Sequence, residues 1–123
     1  MIRVKLDHVQ LAGPPGCEED ARAFYGGLLG LEEIPKPESL RASGGVWFRV
    51  GGEELHIGIE DPFAPARKAH PGLRVDAARL DRLADELAAA GAPVTWDERY
   101  QGIRRFYTAD PFGNRIEILV RDA

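Results

Sequence analysis

The segment Asp110–Val120, DPFGNRIEILV, is a tight turn that runs into an alternating strand. Asp110, Pro111, Gly113 and Asn114 are turn formers, each for its own backbone reason. Beyond them Ile116, Ile118 and Val120 alternate with Arg115, Glu117 and Leu119, the period of a half-buried strand. Glu117 is the anomaly, an acid between two isoleucines. A carboxylate on such a strand is costly unless something pairs with it. A partner for Glu117 is therefore expected elsewhere in the chain, with Arg105 and Arg115 as the plain choices.

Upstream of that turn, Arg104–Thr108 reads as the first arm of a hairpin and Pro93–Asp97 as a short strand. Leu80, Leu83, Ala84, Leu87 and Ala88 form an apolar helical stripe. Asp76 is placed to cap that helix, and Gly91 and Pro93 end it. His70–Val75 reads as a strand, and Asp61–Ala69, DPFAPARKA, as a linker.

The first half runs through the same series. Arg3–Leu11 reads as a strand, with strand-like alternation already visible from Met1. Glu18–Leu29 reads as a helix striped by Ala21, Phe24, Tyr25, Leu28 and Leu29. Leu31–Ile34 is a short strand and Ser39–Gly45 a loop. Val46–Val50 and Glu54–Glu60 form a hairpin through Gly51-Gly52. His8 and His70 stand 62 positions apart, His56 and Glu117 61 apart. Such self-similarity points to a duplicated unit. A unit of about 60 residues is marginal alone, so the two are expected to share one core.

Composition sets the outer bounds. One domain of 123 residues is expected, with 44% apolar residues to fill it. The net charge of −4 argues against a nucleic-acid partner. Cys17 is the only cysteine, which excludes an internal disulfide and a cysteine-cluster zinc site. No apolar run approaches a membrane span, and no signal-peptide core opens the chain. A cytoplasmic protein without a membrane partner is expected.

All three histidines fall on expected strands. His56 and Glu117 lie opposite the isoleucines and leucine that pack on the helices. If the halves are related by a pseudo-twofold axis, His8, His56, His70 and Glu117 converge on one point. Neutral imidazoles and a carboxylate suit a divalent first-row ion, with zinc, nickel, iron, cobalt and manganese all open. Gln10 shares the His8 face. Arg49, Arg105 and Tyr107 lie on the central hairpins and are candidate substrate-binding residues. The arginines offer forks to an anionic group, the alternative being solvent-facing strand arginines.

The pattern resembles the vicinal oxygen chelate superfamily of glyoxalases, bleomycin-resistance proteins and extradiol dioxygenases. The resemblance rests on Asp7-His8-Val9, on Phe24-Tyr25 with Leu28-Leu29-Gly30-Leu31, and on Leu55-His56-Ile57. It rests further on His70 ahead of Leu73-Arg74-Val75, and on Asp110-Pro111-Phe112-Gly113-Asn114 leading to Glu117. It implies an α+β fold: two βαβββ modules forming a curved mixed β-sheet around a metal cavity, helices packed outside. The modules span about 1–60 and 70–123. The resemblance implies metal ligands at His8, His70 and Glu117, a fourth position at His56, and a homodimer. At His56 the chain departs from glyoxalase I, which has a glutamate there, and this argues against a glutathione-dependent glyoxalase. The expected function is lyase or isomerase chemistry on a small substrate with vicinal oxygens. The metal is expected as Lewis acid, and Glu117 or a metal-bound water as the proton-transfer group. The alternatives are a resistance-type protein that sequesters a drug or metabolite, and a dioxygenase-like oxidoreductase.

Overall fold

The computed structural model describes residues 3–121, and the alternation expected at Met1 and Ile2 lies outside them. The chain divides into two compact units, Met1–Ala64 and Pro65–Ala123. Each builds a four-stranded mixed sheet, and no barrel closes among the described residues.

In the first unit the strands are β1 (His8–Gly13), β2 (Glu32–Ile34), β3 (Val46–Val50) and β4 (Glu53–Ile59). Their order in the sheet is β1-β4-β3-β2. β1 runs parallel to β4; the other neighbours are antiparallel. β1 starts at His8 rather than at Arg3, since residues 3–7 have no strand pairing. The expected single helix is composite. One α-helical turn, α1 (Glu18–Ala21), opens into a π-helical segment over Arg22–Leu28. Leu29 N–H bonds the Phe24 carbonyl at 3.0 Å, the five-residue span of that wider winding. Ala21, Phe24 and Tyr25 are buried as the stripe requires, while Leu28 and Leu29 are only half-buried. The wider winding shifts later residues off the α-helical stripe. Phe24, Tyr25, Phe48, Leu55 and Ile57 form the core. The expected loop at Ser39–Gly45 contains a 3₁₀ turn over Glu38–Ser43.

Gly45 follows that turn with φ of +87°. A Cβ there would run into the Ile57 carbonyl oxygen, so only glycine lets β3 start against β4. Gly45 N–H also donates to the Glu18 carboxylate at 2.8 Å.

The second unit has β5 (Gly72–Arg74), β6 (Thr95–Asp97), β7 (Ile103–Ala109) and β8 (Arg115–Arg121) in the order β5-β8-β7-β6. The pairing senses repeat those of the first unit. His70 lies just before β5 rather than on it, because strand pairing begins at Gly72. α2 (Ala77–Ala89) follows an extended Asp76, whose side chain makes no capping bond. Leu80, Leu83, Ala84 and Leu87 are buried against β7 and β8, while Ala88 is exposed.

The turn that opens β8 is held by a polar cluster. Asp110 Oδ1 accepts from the N–H groups of Phe112 and Asn114, both at 2.9 Å. Asn114 Nδ2 donates to Asp110 Oδ2 at 2.8 Å, and Asn114 Oδ1 accepts from Ala66 N–H at 2.9 Å. Gly113 takes φ of +92° between them. Both polar side chains are buried, so these bonds offset their desolvation. The result fixes the phase of β8. Ile116, Ile118 and Val120 take one face; Glu117 and Leu119 take the other, and all five are buried.

Candidate functional site

In the first unit β4 lies between β1 and β3, so residues of one phase on these strands form one face. His56 pairs in register with Gln10 on one side and Trp47 on the other. Its ring stacks on Trp47 at 3.7 Å and on His8 at 4.4 Å, and it is only 4% exposed. His56 Nε2 lies 2.9 Å from Glu54 Oε1. Donation to that carboxylate leaves Nδ1 as the ring's remaining nitrogen. His8 Nδ1 donates to Asp7 Oδ2 at 2.8 Å, which leaves Nε2 open on a part-exposed side chain. A carboxylate behind an imidazole is the usual support of a metal-binding histidine. Gln10 lies over Gly58, in a cleft of about 250 Å³ shared with Lys36, Leu40 and Trp47. Arg49 sits further along β3, half exposed, 3.9 Å from Glu32.

In the second unit Glu117 pairs in register with Gly72 on β5 and Tyr107 on β7. His70 stands two residues before Gly72, as His8 stands two before Gln10. The repeat in the sequence is thus a repeat in register. His70 Nε2 lies 3.0 Å from Glu117 Oε1, and His70 Nδ1 lies 2.9 Å from the Lys68 carbonyl oxygen. A carbonyl can only accept, so Nδ1 carries the proton. In the neutral ring the Nε2 lone pair then faces a carboxylate oxygen. That contact needs a positive charge between the two atoms, either a proton or a metal ion. Arg105 Nη1 donates to the other carboxylate oxygen at 3.2 Å, a charge-assisted bond.

Arg105 is itself held. Its Nη2 donates to Asp97 Oδ2 at 2.6 Å, and its buried Nε has no hydrogen-bond partner among the described residues. Arg99 forks onto the same Asp97 carboxylate at 2.7 and 3.1 Å. The Arg99 side chain, then its backbone N–H, then Arg105 hold Asp97 well below the ordinary 3.8, against the opposing effect of burial. Tyr107 lies beneath both the Arg105 and the Arg115 guanidinium groups and edge-on to His70. A cleft of about 480 Å³ opens here, lined by Lys68, His70, Arg99, Arg105, Tyr107 and Arg115 among others.

The structure therefore brings His8 together with His56, and His70 with Glu117, Arg105 and Tyr107. Among the described residues, no three His, Cys, Asp or Glu side chains form a metal-holding group. The sequence reading did not single out Glu54, Asp97 or Lys68. Glu54 carries a signal, since it stands two before His56 and shares its face. Asp97 is register partner of Arg105, legible only once β6 is paired with β7. Lys68 meets His70 through its backbone carbonyl, a contact with no side-chain signal.

Duplicated four-stranded sheets with histidine and glutamate at matching register define a class of protein. The chain belongs to the Glyoxalase/Bleomycin resistance protein/Dioxygenase superfamily, which it matches over residues 5–118. It is similar to a solved Bacillus anthracis protein assigned to the glyoxalase family. The two are 48% identical over 99% of this chain and 98% of that one, with a TM-score of 0.91. The fold also resembles lactoylglutathione lyase from Agrobacterium tumefaciens, at 23% identity over 94% and 92% of the chains and TM-score 0.71. A third relative is the fosfomycin resistance protein FosX of Listeria monocytogenes, complexed with Mn(II) and sulfate. It is 19% identical over 99% and 93% of the chains, with TM-score 0.76. No curated protein matches the chain. No helix among the described residues is long and apolar enough to cross a membrane.

Proposed function

We propose that this chain is a glyoxalase-like, divalent-metal-dependent enzyme performing lyase or isomerase chemistry on a small substrate with adjacent oxygens. The observation that supports it most directly is the His70–Glu117 contact at 3.0 Å. With Nδ1 committed to the Lys68 carbonyl, the Nε2 lone pair and a carboxylate oxygen face each other, and a cation is the natural occupant between them. His8, with Asp7 behind it, offers a third donor and His56 Nδ1 a fourth. The donors come from two units, of one chain or of the two chains of a homodimer. A fold relative complexed with Mn(II) is in keeping with this nitrogen and oxygen set.

A bound divalent ion supplies Lewis acidity toward the adjacent oxygens of such a substrate. Glu117 is the proton-transfer group, since its carboxylate is buried and held at both oxygens. Arg105, fixed by Asp97, keeps that carboxylate oriented. Tyr107 walls the second-unit cleft, and Gln10 and Arg49 serve the substrate from the first-unit face. The setting is the cytoplasm.

Metal analysis of protein purified without added metal tests this reading. Near-stoichiometric metal, lost in a His8→Ala/Glu117→Ala double variant, is the expected result. A chain that neither carries nor takes up a divalent metal, yet binds small molecules in its clefts, would instead be a sequestering protein.

A further inference from the structure

The second-unit cleft is more basic than its ion pairs require. Asp97 engages Arg99 and Arg105, and Glu117 engages Arg105. Lys68 and Arg115 line the same cleft, and neither has a carboxylate at ion-pair distance among the described residues. This local excess stands in a chain whose net charge is −4. Unpaired basic side chains on a surface are usually just solvated, but the Arg115 side chain is positioned and the Lys68 backbone is anchored. The Arg115 guanidinium lies 3.9 Å above the Tyr107 ring, which restrains its planar fork. Arg115 also starts β8, where its N–H bonds the Ala66 carbonyl at 2.8 Å. The Lys68 backbone is tied to His70 through the 2.9 Å carbonyl contact. Arg105, by contrast, is already committed to two carboxylates and is a poor receptor for a third.

We infer that the substrate carries a terminal oxyanion, received by Arg115 and Lys68 rather than by Arg105. The shared chemistry is a small group with two or more anionic oxygens, phosphoryl or carboxylate. It matches the bidentate geometry of a guanidinium and the point charge of an ammonium. The anion would lie beside His70 and Glu117, so the proposal names the substrate class for the site proposed above and rests on that reading. It also reassigns the anion-binding role among the arginines.

The test is titration of the full chain with inorganic phosphate and, separately, sodium acetate. Binding is followed by amide chemical shifts at low ionic strength, with and without EDTA. Saturable binding of either anion is expected, with shifts centred on Lys68, His70 and Arg115 and unaffected by EDTA. Whichever anion binds more tightly identifies the group. Arg115→Gln should weaken binding about tenfold or more, Lys68→Ala by a smaller factor, and Arg115→Lys by an intermediate one. Arg104→Gln removes the same charge from the opposite face of β7 and should leave affinity within about twofold. Unchanged affinity in folded Arg115→Gln and Lys68→Ala, no saturable binding of either anion, or binding abolished by EDTA would each overturn the inference. Anion binding that survives EDTA in a chain that takes up no metal would leave it standing while the metal reading fell.

Discussion

Glu117 shows how much one side chain can announce. Its place between isoleucines demands a partner, and the structure supplies two, His70 and Arg105. Arg105 is visible in the sequence as a candidate. His70 is visible only through the repeat, and Asp97, which holds Arg105, only through strand pairing. Asp97 makes its own prediction. Its folded value lies below the ordinary 3.8, so it contributes stability that is present above that pH. The contribution is lost as pH falls from 3.8 toward the folded value. Acid unfolding followed by circular dichroism should therefore show a shallower stability loss below pH 3.8 in Asp97→Asn than in the parent. The same variant takes from Arg105 one of its two carboxylate partners, so the variant's stability at neutral pH should already be lower. Equal acid slopes in the two proteins would contradict this account.

At the scale of elements, periodicity located the strands, both hairpins and both helices, while departures arose where tertiary contacts decide. A 3.6-residue stripe cannot distinguish α from π winding over Arg22–Leu28, because both bury Phe24 and Tyr25. β1 begins at His8, where its register with β4 starts opposite Glu54. Turn chemistry was legible in type but not in consequence. Asp110→Ala removes three hydrogen bonds and leaves buried donors unmet, at a cost of about 2–3 kcal/mol in chemical denaturation. Gly45→Ala places a Cβ against the Ile57 carbonyl at positive φ, costing about 1–3 kcal/mol, seen as a lowered Tm. Gly51→Ala has open space around its Cβ but the same sign of φ, so its loss should be smaller.

Across the whole molecule, the duplicated architecture was legible because equivalent residues recur at nearly constant spacing. The proposed donor set can be named from residue types, whereas the proton placement on His70 depends on a backbone carbonyl. If the proposed metal centre forms, a divalent ion binding only the folded chain stabilises it by about 2.7 kcal/mol at a hundredfold excess over Kd. Differential scanning calorimetry should then show Tm falling on chelation and recovering on metal addition. His8→Ala/Glu117→Ala should show neither response.

Because β8 is enclosed on both sides, its parity is unforgiving. Inserting or deleting a single residue between Asp110 and Asn114 would exchange the two faces, pointing the acid at α2 and the isoleucines at the cleft. Length variation at this corner should be tolerated only in steps of two residues, if at all. The open Gly51-Gly52 bend has no such constraint, and there a library of indels should retain soluble, folded members.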